Sequence, residues 1–123
     1  MNKMEKKTLI IGASEKPERY SYQLANRLTS HNLPFELLGK RKGEVFGHEI
    51  YTERIAFEDI DTVSLYINPR IQREYYGYIL SLNPRRVLFN PGTENDEFAD
   101  LLESKGIETE EACSLVLLSM NAY

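Results

Sequence analysis

Short apolar runs alternate with amphipathic stretches along the 123 residues of the chain. The apolar runs are bounded by glycine, proline or asparagine, which is typical of short buried strands. They occupy residues 8–11, 35–38, 62–67 and 87–89, and residues 107–109 are expected to form a last strand after Gly106. Residues 45–51 are predicted to form a smaller β excursion between the second and third of these strands.

Between the strands, apolar residues recur at the spacing of a helix that buries one face. Three such stripes predict helices after the first, third and fourth strands: Leu24, Ala25 and Leu28; Ile71, Tyr75, Tyr78, Ile79 and Leu82; Phe98, Leu101 and Leu102. Ser21 is expected to begin the first helix as its N-cap residue. Asn32 and Gly106 are expected to end the first and third helices in the left-handed conformation. The apolar segment 113–120 fits either a strand or a helix.

Strands that alternate with helices indicate βαβ units and a mainly parallel sheet. Because parallel sheets are buried on both faces, we expect helices on each side, giving a three-layer α/β sandwich with five or six strands. A chain of 123 residues fits a single domain over residues 1–123, since one domain usually takes about 100–200 residues.

The composition indicates which binding partners and which cellular compartment to expect. A formal net charge of −4 argues against general nucleic-acid binding, which requires a basic face. No apolar run approaches the ~18 residues of a membrane span, and no apolar core follows the charged N-terminus as in a signal peptide. The single cysteine, Cys113, excludes an internal disulfide and fits a reducing compartment. We therefore expect a cytoplasmic protein.

The turn after the first strand carries the clearest chemical signal. A strand–turn–helix of this kind presents free backbone amides and the positive end of the helix dipole to a bound anion. The Ser14 hydroxyl and the Arg19 guanidinium add donors for phosphate oxygens, and Lys16 adds charge. The turn is therefore predicted to hold phosphate. A plain turn with surface charges is the alternative.

The loop after the second strand discriminates between nucleotide cofactors. The first turn lacks the second and third glycines of the G-x-G-x-x-G dinucleotide motif. NAD-binding domains also carry an acidic residue at the end of the second strand, whereas this chain has Lys40-Arg41-Lys42. These cations would attract an additional phosphate, so NAD is disfavoured, and coenzyme A and NADP remain. A solvated basic loop is the alternative.

Two further strand ends carry residues suited to a ligand. Asn68-Pro69 follows the third strand, and Asn90-Pro91-Gly92 follows the fourth. Because ligands of open α/β sheets bind beyond the carboxyl ends of the strands, these loops are candidates for contacts with the adenine and pantetheine parts. Proline and glycine also punctuate loops that bind nothing, so a purely structural role stays open.

No catalytic or metal centre is predicted. His31 and His48 are the only histidines, and neither belongs to a cluster at a strand end such as a catalytic triad requires. No histidine and cysteine spacing typical of a metal site occurs. Cys113 follows acidic neighbours that disfavour a reactive thiolate, so we expect a buried, unreactive cysteine.

The first turn and the fourth strand end together resemble a known family. The chain is similar to the small stand-alone CoA-binding domain proteins and to the N-terminal domain of the succinyl-CoA synthetase α subunit. The matching motifs are Gly12-Ala13-Ser14, Lys16-Pro17, Arg19-Tyr20-Ser21 and Asn90-Pro91-Gly92-Thr93-Glu94-Asn95. The similarity covers about residues 7–113. It implies a Rossmann-like sandwich that binds coenzyme A at the first turn, and no ligase chemistry, which belongs to a second domain of the synthetase.

The resemblance also implies which residues contact coenzyme A. The phosphate end would be lined by Gly12, Ala13, Ser14, Arg19 and Ser21, with Lys16 added on its charge. The rest of the ligand would be faced by Lys40 and by loops that contain Asn68, Pro69, Pro91 and Gly92.

We therefore expect a non-catalytic module that binds coenzyme A or an acyl-CoA as a carrier, a sensor or part of a larger assembly. Two other interpretations stay open. One is an enzyme, either an NADP-linked reductase or an acyl-transfer enzyme that uses Cys113. The other is a ligand-free scaffold that self-associates through its apolar C-terminus. A homo-oligomer or an unidentified protein partner is compatible with each of these.

Overall fold

The computed structural model describes residues 6–123, which form a sheet of seven strands with helices on both faces. The strands are β1 (Thr8–Ile11), β2 (Phe35–Leu38), β3 (Gly43–Val45), β4 (His48–Tyr51), β5 (Thr62–Leu65), β6 (Arg86–Phe89) and β7 (Glu108–Glu111). Their spatial order is β3-β4-β2-β1-β5-β6-β7. All neighbouring pairs are parallel except β3 and β4. The predicted mainly parallel, three-layer Rossmann-like sandwich is therefore confirmed.

The sheet has more strands than the five or six predicted, because the β excursion is a complete hairpin. Phe46 and Gly47 connect β3 and β4, and both have positive φ values, 51° and 82°. Two central residues of this kind suit the right-handed twist of a tight hairpin. The hairpin joins the main sheet because Leu37 and Leu38 pair in parallel with Ile50 and Tyr51.

The helices are α1 (Tyr20–Ser30), α2 (Pro69–Gln72), α3 (Tyr76–Leu82), α4 (Asp96–Ser104) and α5 (Ser114–Ser119). Asn32 and Gly106 have φ values of 57° and 79°, as expected for the ends of α1 and α4. The undecided segment 113–120 contains α5. The single helix predicted from the stripe at 71–82 is interrupted by a 3-10 turn over Arg73–Tyr75, where Tyr75 departs from helical geometry with ψ −3°.

The predicted N-cap of α1 is wrong by two positions. Arg19 is the N-cap residue, with the extended φ and ψ values of −78° and 142°. Ser21 lies inside the first turn, and its buried side chain faces the core with Leu24, Ala25 and Leu28. A side chain in that position packs against the sheet and makes no cap.

Alternation of side chains along the strands builds one core on each face of the sheet. Leu9 of β1 packs on the side of α3 and α4 with Ile79 and Phe98. Ile10 packs on the opposite side with Leu24 of α1 and Leu118 of α5. Every residue of β1, β5 and β6 is buried, because helices cover both faces of these central strands.

The strand order places a crevice between β1 and β5. The chain leaves β1 toward α1 and β2 on one side, whereas it leaves β5 toward α2 and β6 on the other. Such a switch point is where open α/β sheets bind their ligands. No helix within residues 6–123 has the length and apolar character needed to cross a membrane.

Candidate anion-binding cleft

A cleft of about 420 Å³ opens at the carboxyl ends of β1, β2 and β5. Three segments form it: the turn that precedes α1, the loop between β2 and β3, and the segment that follows β5. The lining residues are Gly12, Ala13, Ser14, Glu15, Lys16, Arg19, Lys40, Arg41, Lys42, Ile50, Tyr66, Ile67, Asn68 and Ile71. The first turn and the basic loop lie more than twenty residues apart in the sequence, and the fold brings both to one cleft.

Gly12 begins the turn because no other residue fits there. Its φ is +98°, and a Cβ atom would lie only 2.8 Å from the carbonyl oxygen of Tyr66. The backbone amides of Gly12 and Ala13 both donate to the carbonyl of Leu38, at 2.9 and 3.0 Å. These bonds fix the turn against β2, and they leave those two amides unable to bind an anion.

The next part of the turn offers the donors that an anion needs. Within residues 6–123, no acceptor is found for the backbone amides of Ser14 and Glu15. The Ser14 hydroxyl accepts a hydrogen bond from the Lys16 amide at 3.1 Å, so its own hydrogen stays free to donate. The side chain of Arg19 makes no cap bond to α1, and among the described residues no other side chain accepts from the first-turn amides of this helix.

Positive charge is concentrated around the cleft although the chain is acidic overall. Five of the lining residues are cationic, and all five are exposed: Lys16, Arg19, Lys40, Arg41 and Lys42. None of them pairs with a carboxylate in the part of the chain that the structure describes. Glu15 is the single acidic residue among the lining residues. The electrostatic potential of the cleft therefore favours a ligand with several negative charges.

The inner wall of the cleft is apolar. It is formed by Ala13, Ile50, Tyr66, Ile67 and Ile71. The Tyr66 hydroxyl is buried without a hydrogen-bond partner in the described residues, and burial raises the pKa of its phenol well above the usual value. Tyr66 is therefore neutral at physiological pH, and the wall can receive an uncharged ring or chain.

Sequence reasoning missed most of this wall because it assigned residues 62–67 to one strand. The strand ends at Leu65, so Tyr66 and Ile67 already belong to the segment that lines the cleft. The signal that could have found them is their position directly at the carboxyl end of a central strand.

The structure brings together seven of the predicted binding residues and leaves four outside the cleft. Gly12, Ala13, Ser14, Lys16, Arg19, Lys40 and Asn68 line it. Ser21 is buried against the core on α1, and Pro91 and Gly92 lie exposed in the turn after β6. Pro69 lies beside a smaller cleft of about 280 Å³, which Arg70, Arg73, Asn95 and Glu97 complete.

The asparagines at the two later strand ends have structural roles. Asn68 accepts a hydrogen bond from the Ile71 amide at 3.0 Å and so caps α2. Asn90 donates to the Ser64 hydroxyl and to the Leu65 carbonyl, at 2.8 and 2.9 Å, and accepts from the Ser114 amide. These bonds tie the end of β6 to β5 and to α5. Asn68 still lines the cleft, whereas the side chain of Asn90 uses its hydrogen-bonding groups within the protein.

The histidines and the cysteine lie away from the cleft. The ring of His48 stacks on Phe35 with 3.9 Å between centroids, and His31 ends α1. Cys113 precedes α5 as its N-cap residue and is half-buried, less enclosed than predicted. Within residues 6–123, no group of three His, Cys, Asp or Glu side chains could hold a metal ion.

Comparison with known proteins supports the family resemblance seen in the sequence and the fold class seen in the structure. A family model described as CoA binding domain matches residues 6–119. The crystal structure of a protein described only as uncharacterized is 52% identical, with a TM-score of 0.94 over 96% of this chain and 98% of its own. No curated protein matches the chain.

Two more distant structures share the fold. A hypothetical protein from Pyrococcus horikoshii OT3 is 24% identical, with a TM-score of 0.86 over 95% of this chain and 84% of its own. A protein from Thermus thermophilus is 20% identical, with a TM-score of 0.82 over the full length of both chains. The family match spans nearly all of the described residues, and the chain therefore belongs to the CoA-binding domain family.

Proposed function

We propose that this protein binds coenzyme A or an acyl-CoA in the cleft and acts as a non-catalytic binding module. The observation that carries the proposal is that five exposed cations line one cleft together with Ser14 and Glu15, whose backbone amides have no acceptor within residues 6–123. Membership of the CoA-binding domain family supports the choice of ligand.

The turn before α1 is suited to the pyrophosphate. The Ser14 hydroxyl and the amides of Ser14 and Glu15 supply neutral donors, and Arg19 supplies a charged fork that can hold two phosphate oxygens. The positive end of the α1 dipole adds to this attraction. Ser21 contributes through the packing that holds the helix and makes no contact with the ligand, since its side chain is buried.

The basic loop is suited to the phosphate that distinguishes coenzyme A from NAD. Lys40, Arg41 and Lys42 line the same cleft as the turn. Coenzyme A carries a phosphate on the ribose 3′ oxygen, and three cations in the same cleft would neutralise its charge. NADP, with its 2′-phosphate, is the second candidate that the same loop favours.

The apolar wall would receive an uncharged part of the ligand. Ile50, Tyr66 and Ile67 offer a surface for an adenine ring or for the first part of pantetheine. Pro69, Pro91 and Gly92 lie farther out, so in this proposal they would contact only a distal segment of the ligand.

Calorimetry with a matched ligand series tests the proposal. The purified protein would be titrated with coenzyme A, dephospho-CoA, NADP and NAD under identical salt conditions. We expect coenzyme A to bind most tightly and dephospho-CoA to bind at least about tenfold more weakly, because one charged contact is lost. Tighter binding of NADP would instead favour the reductase interpretation. Equal affinities for coenzyme A and dephospho-CoA would contradict the assigned role of the basic loop.

A further inference from the structure

Glu15 is out of place electrostatically in a cleft built for phosphates. It stands between Ser14 and Lys16, its side chain is exposed, and it lines the same space as five cations. A carboxylate in that position repels an anionic ligand. The same carboxylate also makes a contact beside one end of the basic loop.

The Glu15 carboxylate joins the turn before α1 to the edge strand β3. Its Oε2 atom accepts a hydrogen bond from the backbone amide of Glu44 at 2.8 Å. Glu44 lies just beyond the basic loop, and at the other end of that loop the Gly39 amide donates to the Tyr51 carbonyl at 2.9 Å. Residues 40–42 therefore lie between two backbone amides that are held by hydrogen bonds, and the Glu15 carboxylate accepts one of these two bonds.

The absence of a side chain at Gly43 leaves room for this carboxylate. A Cβ atom on Gly43 would lie 2.4 Å from Cδ of Glu15 and 2.6 Å from its Oε2 atom. These distances are below any real carbon contact, so a Cβ atom at position 43 would force the Glu15 side chain to move from this place. The carboxylate and the glycine together form one latch at the end of the basic loop.

Other restraints on the loop are few. Within the part of the chain that the structure describes, β3 is the last strand of the sheet and pairs only with β4. The three cations are exposed, and within residues 6–123 they form no ion pairs that would fix their direction. The position of the charges relative to the turn therefore depends on the backbone at both ends of the loop.

We propose that Glu15 is a positioning residue that holds the basic loop over the cleft, and that it thereby sets the selectivity for nucleotides with an additional ribose phosphate. The inference rests on the proposed function. It predicts that loss of the latch reduces discrimination between ligands. Simple repulsion predicts the opposite, because loss of the carboxylate would strengthen the binding of the most highly charged anion most and so increase discrimination.

The test measures the ratio of the affinities for coenzyme A and dephospho-CoA in a set of variants. In Glu15→Ala, we expect this ratio to fall close to one, because the loop no longer has a fixed place. Glu15→Gln should retain most of the ratio, since its amide oxygen can accept the Glu44 hydrogen bond. In Gly43→Ala, the ratio should also fall close to one, although the Glu15 carboxylate is still present. Glu18→Ala removes the same charge from an exposed position outside the cleft and should behave as wild type.

Limited trypsin digestion gives a second measurement that needs no ligand. Cleavage after residues 40–42 should be faster in Glu15→Ala and Gly43→Ala than in wild type, Glu15→Gln or Glu18→Ala. Unchanged cleavage, or an unchanged affinity ratio in Glu15→Ala, would overturn the positioning role while the proposed function stands. Equal affinities of the wild type for the two ligands would contradict the role of the basic loop and this inference with it, whereas a wild-type protein that binds neither ligand would overturn the proposed function as well.

Discussion

At the scale of single residues, the cleft depends on where a few charges lie. The chain has a net charge of −4, yet five cations face one opening. Sequence patterns indicated Ser14, Lys16, Arg19 and Lys40 because a polar or charged residue beside a strand end is visible without coordinates. They did not indicate Glu15 as part of this site, since only the folded chain brings it to Glu44.

Arg19 is the residue whose loss should weaken ligand binding most clearly. In Arg19→Ala, we expect the affinity for coenzyme A to fall by roughly tenfold to a hundredfold, because a charged hydrogen bond to phosphate is lost. Calorimetry measures this change directly. Arg27→Ala is the matched control, since Arg27 lies exposed in the last turn of α1, at the far end from the cleft. Equal effects of the two substitutions would contradict a specific contact.

At the scale of elements, local sequence patterns identified most strands and helices. The remaining elements could not be predicted because they depend on tertiary contacts. The runs at residues 8–11 and 35–38 are strands because their apolar side chains are buried on both faces. The hairpin of β3 and β4 was underestimated because its pairing with β2 is a long-range contact. The helical nature of segment 113–120 also depends on distant partners, since Leu118 packs against the core that α1 covers.

The loops at the amino ends of β5 and β6 are joined by an ion pair whose strength depends on pH. Arg85 donates to both carboxylate oxygens of Asp61, at 2.9 and 3.1 Å. Burial acts to raise the pKa of Asp61, but the hydrogen bonds from Arg85 and Thr62 and the charge of Arg85 together lower it below its usual value. The pair therefore stabilises the fold above the pKa of an unfolded aspartate and loses this effect as the pH falls through the lowered value.

The substitution Asp61→Asn isolates this contribution. We expect the variant to be less stable than wild type at pH 7 by about 1 kcal/mol or less, because the pair is partly exposed. The difference should shrink as the pH falls below about 4, where an unfolded aspartate becomes protonated, and vanish below the lowered pKa of Asp61 in the folded protein. Urea unfolding at a series of pH values measures it. A difference that grows on acidification would contradict the assignment.

At the scale of the whole molecule, Tyr123 ties the last residue of the chain to the first strand. Its side chain is only 8% exposed, and its hydroxyl shares a 2.7 Å hydrogen bond with the Thr8 hydroxyl. Arg86 lies over the ring at 4.7 Å and donates to the Tyr123 carbonyl at 2.9 Å. These contacts lie at the amino ends of the strands, at the opposite edge of the sheet from the cleft.

The Tyr123 hydroxyl should matter for stability and not for ligand binding. Burial raises the pKa of Tyr123 to about 12, so the phenol stays neutral at physiological pH. Tyr123→Phe leaves the buried Thr8 hydroxyl without this partner, and we expect a loss of about 1–3 kcal/mol in the free energy of unfolding. Thermal and urea unfolding measure the loss. A stable variant with weakened coenzyme A binding would contradict the separation of the two ends of the sheet.

The central claim is that one cleft between β1 and β5 holds coenzyme A by its phosphates. The most direct measurement is a crystal structure of the protein grown with coenzyme A. We expect the pyrophosphate beside Ser14 and Arg19, and the ribose phosphate facing residues 40–42. Coenzyme A bound elsewhere, for example in the smaller cleft beside Pro69, or with its phosphates turned away from the five cations, would contradict the account.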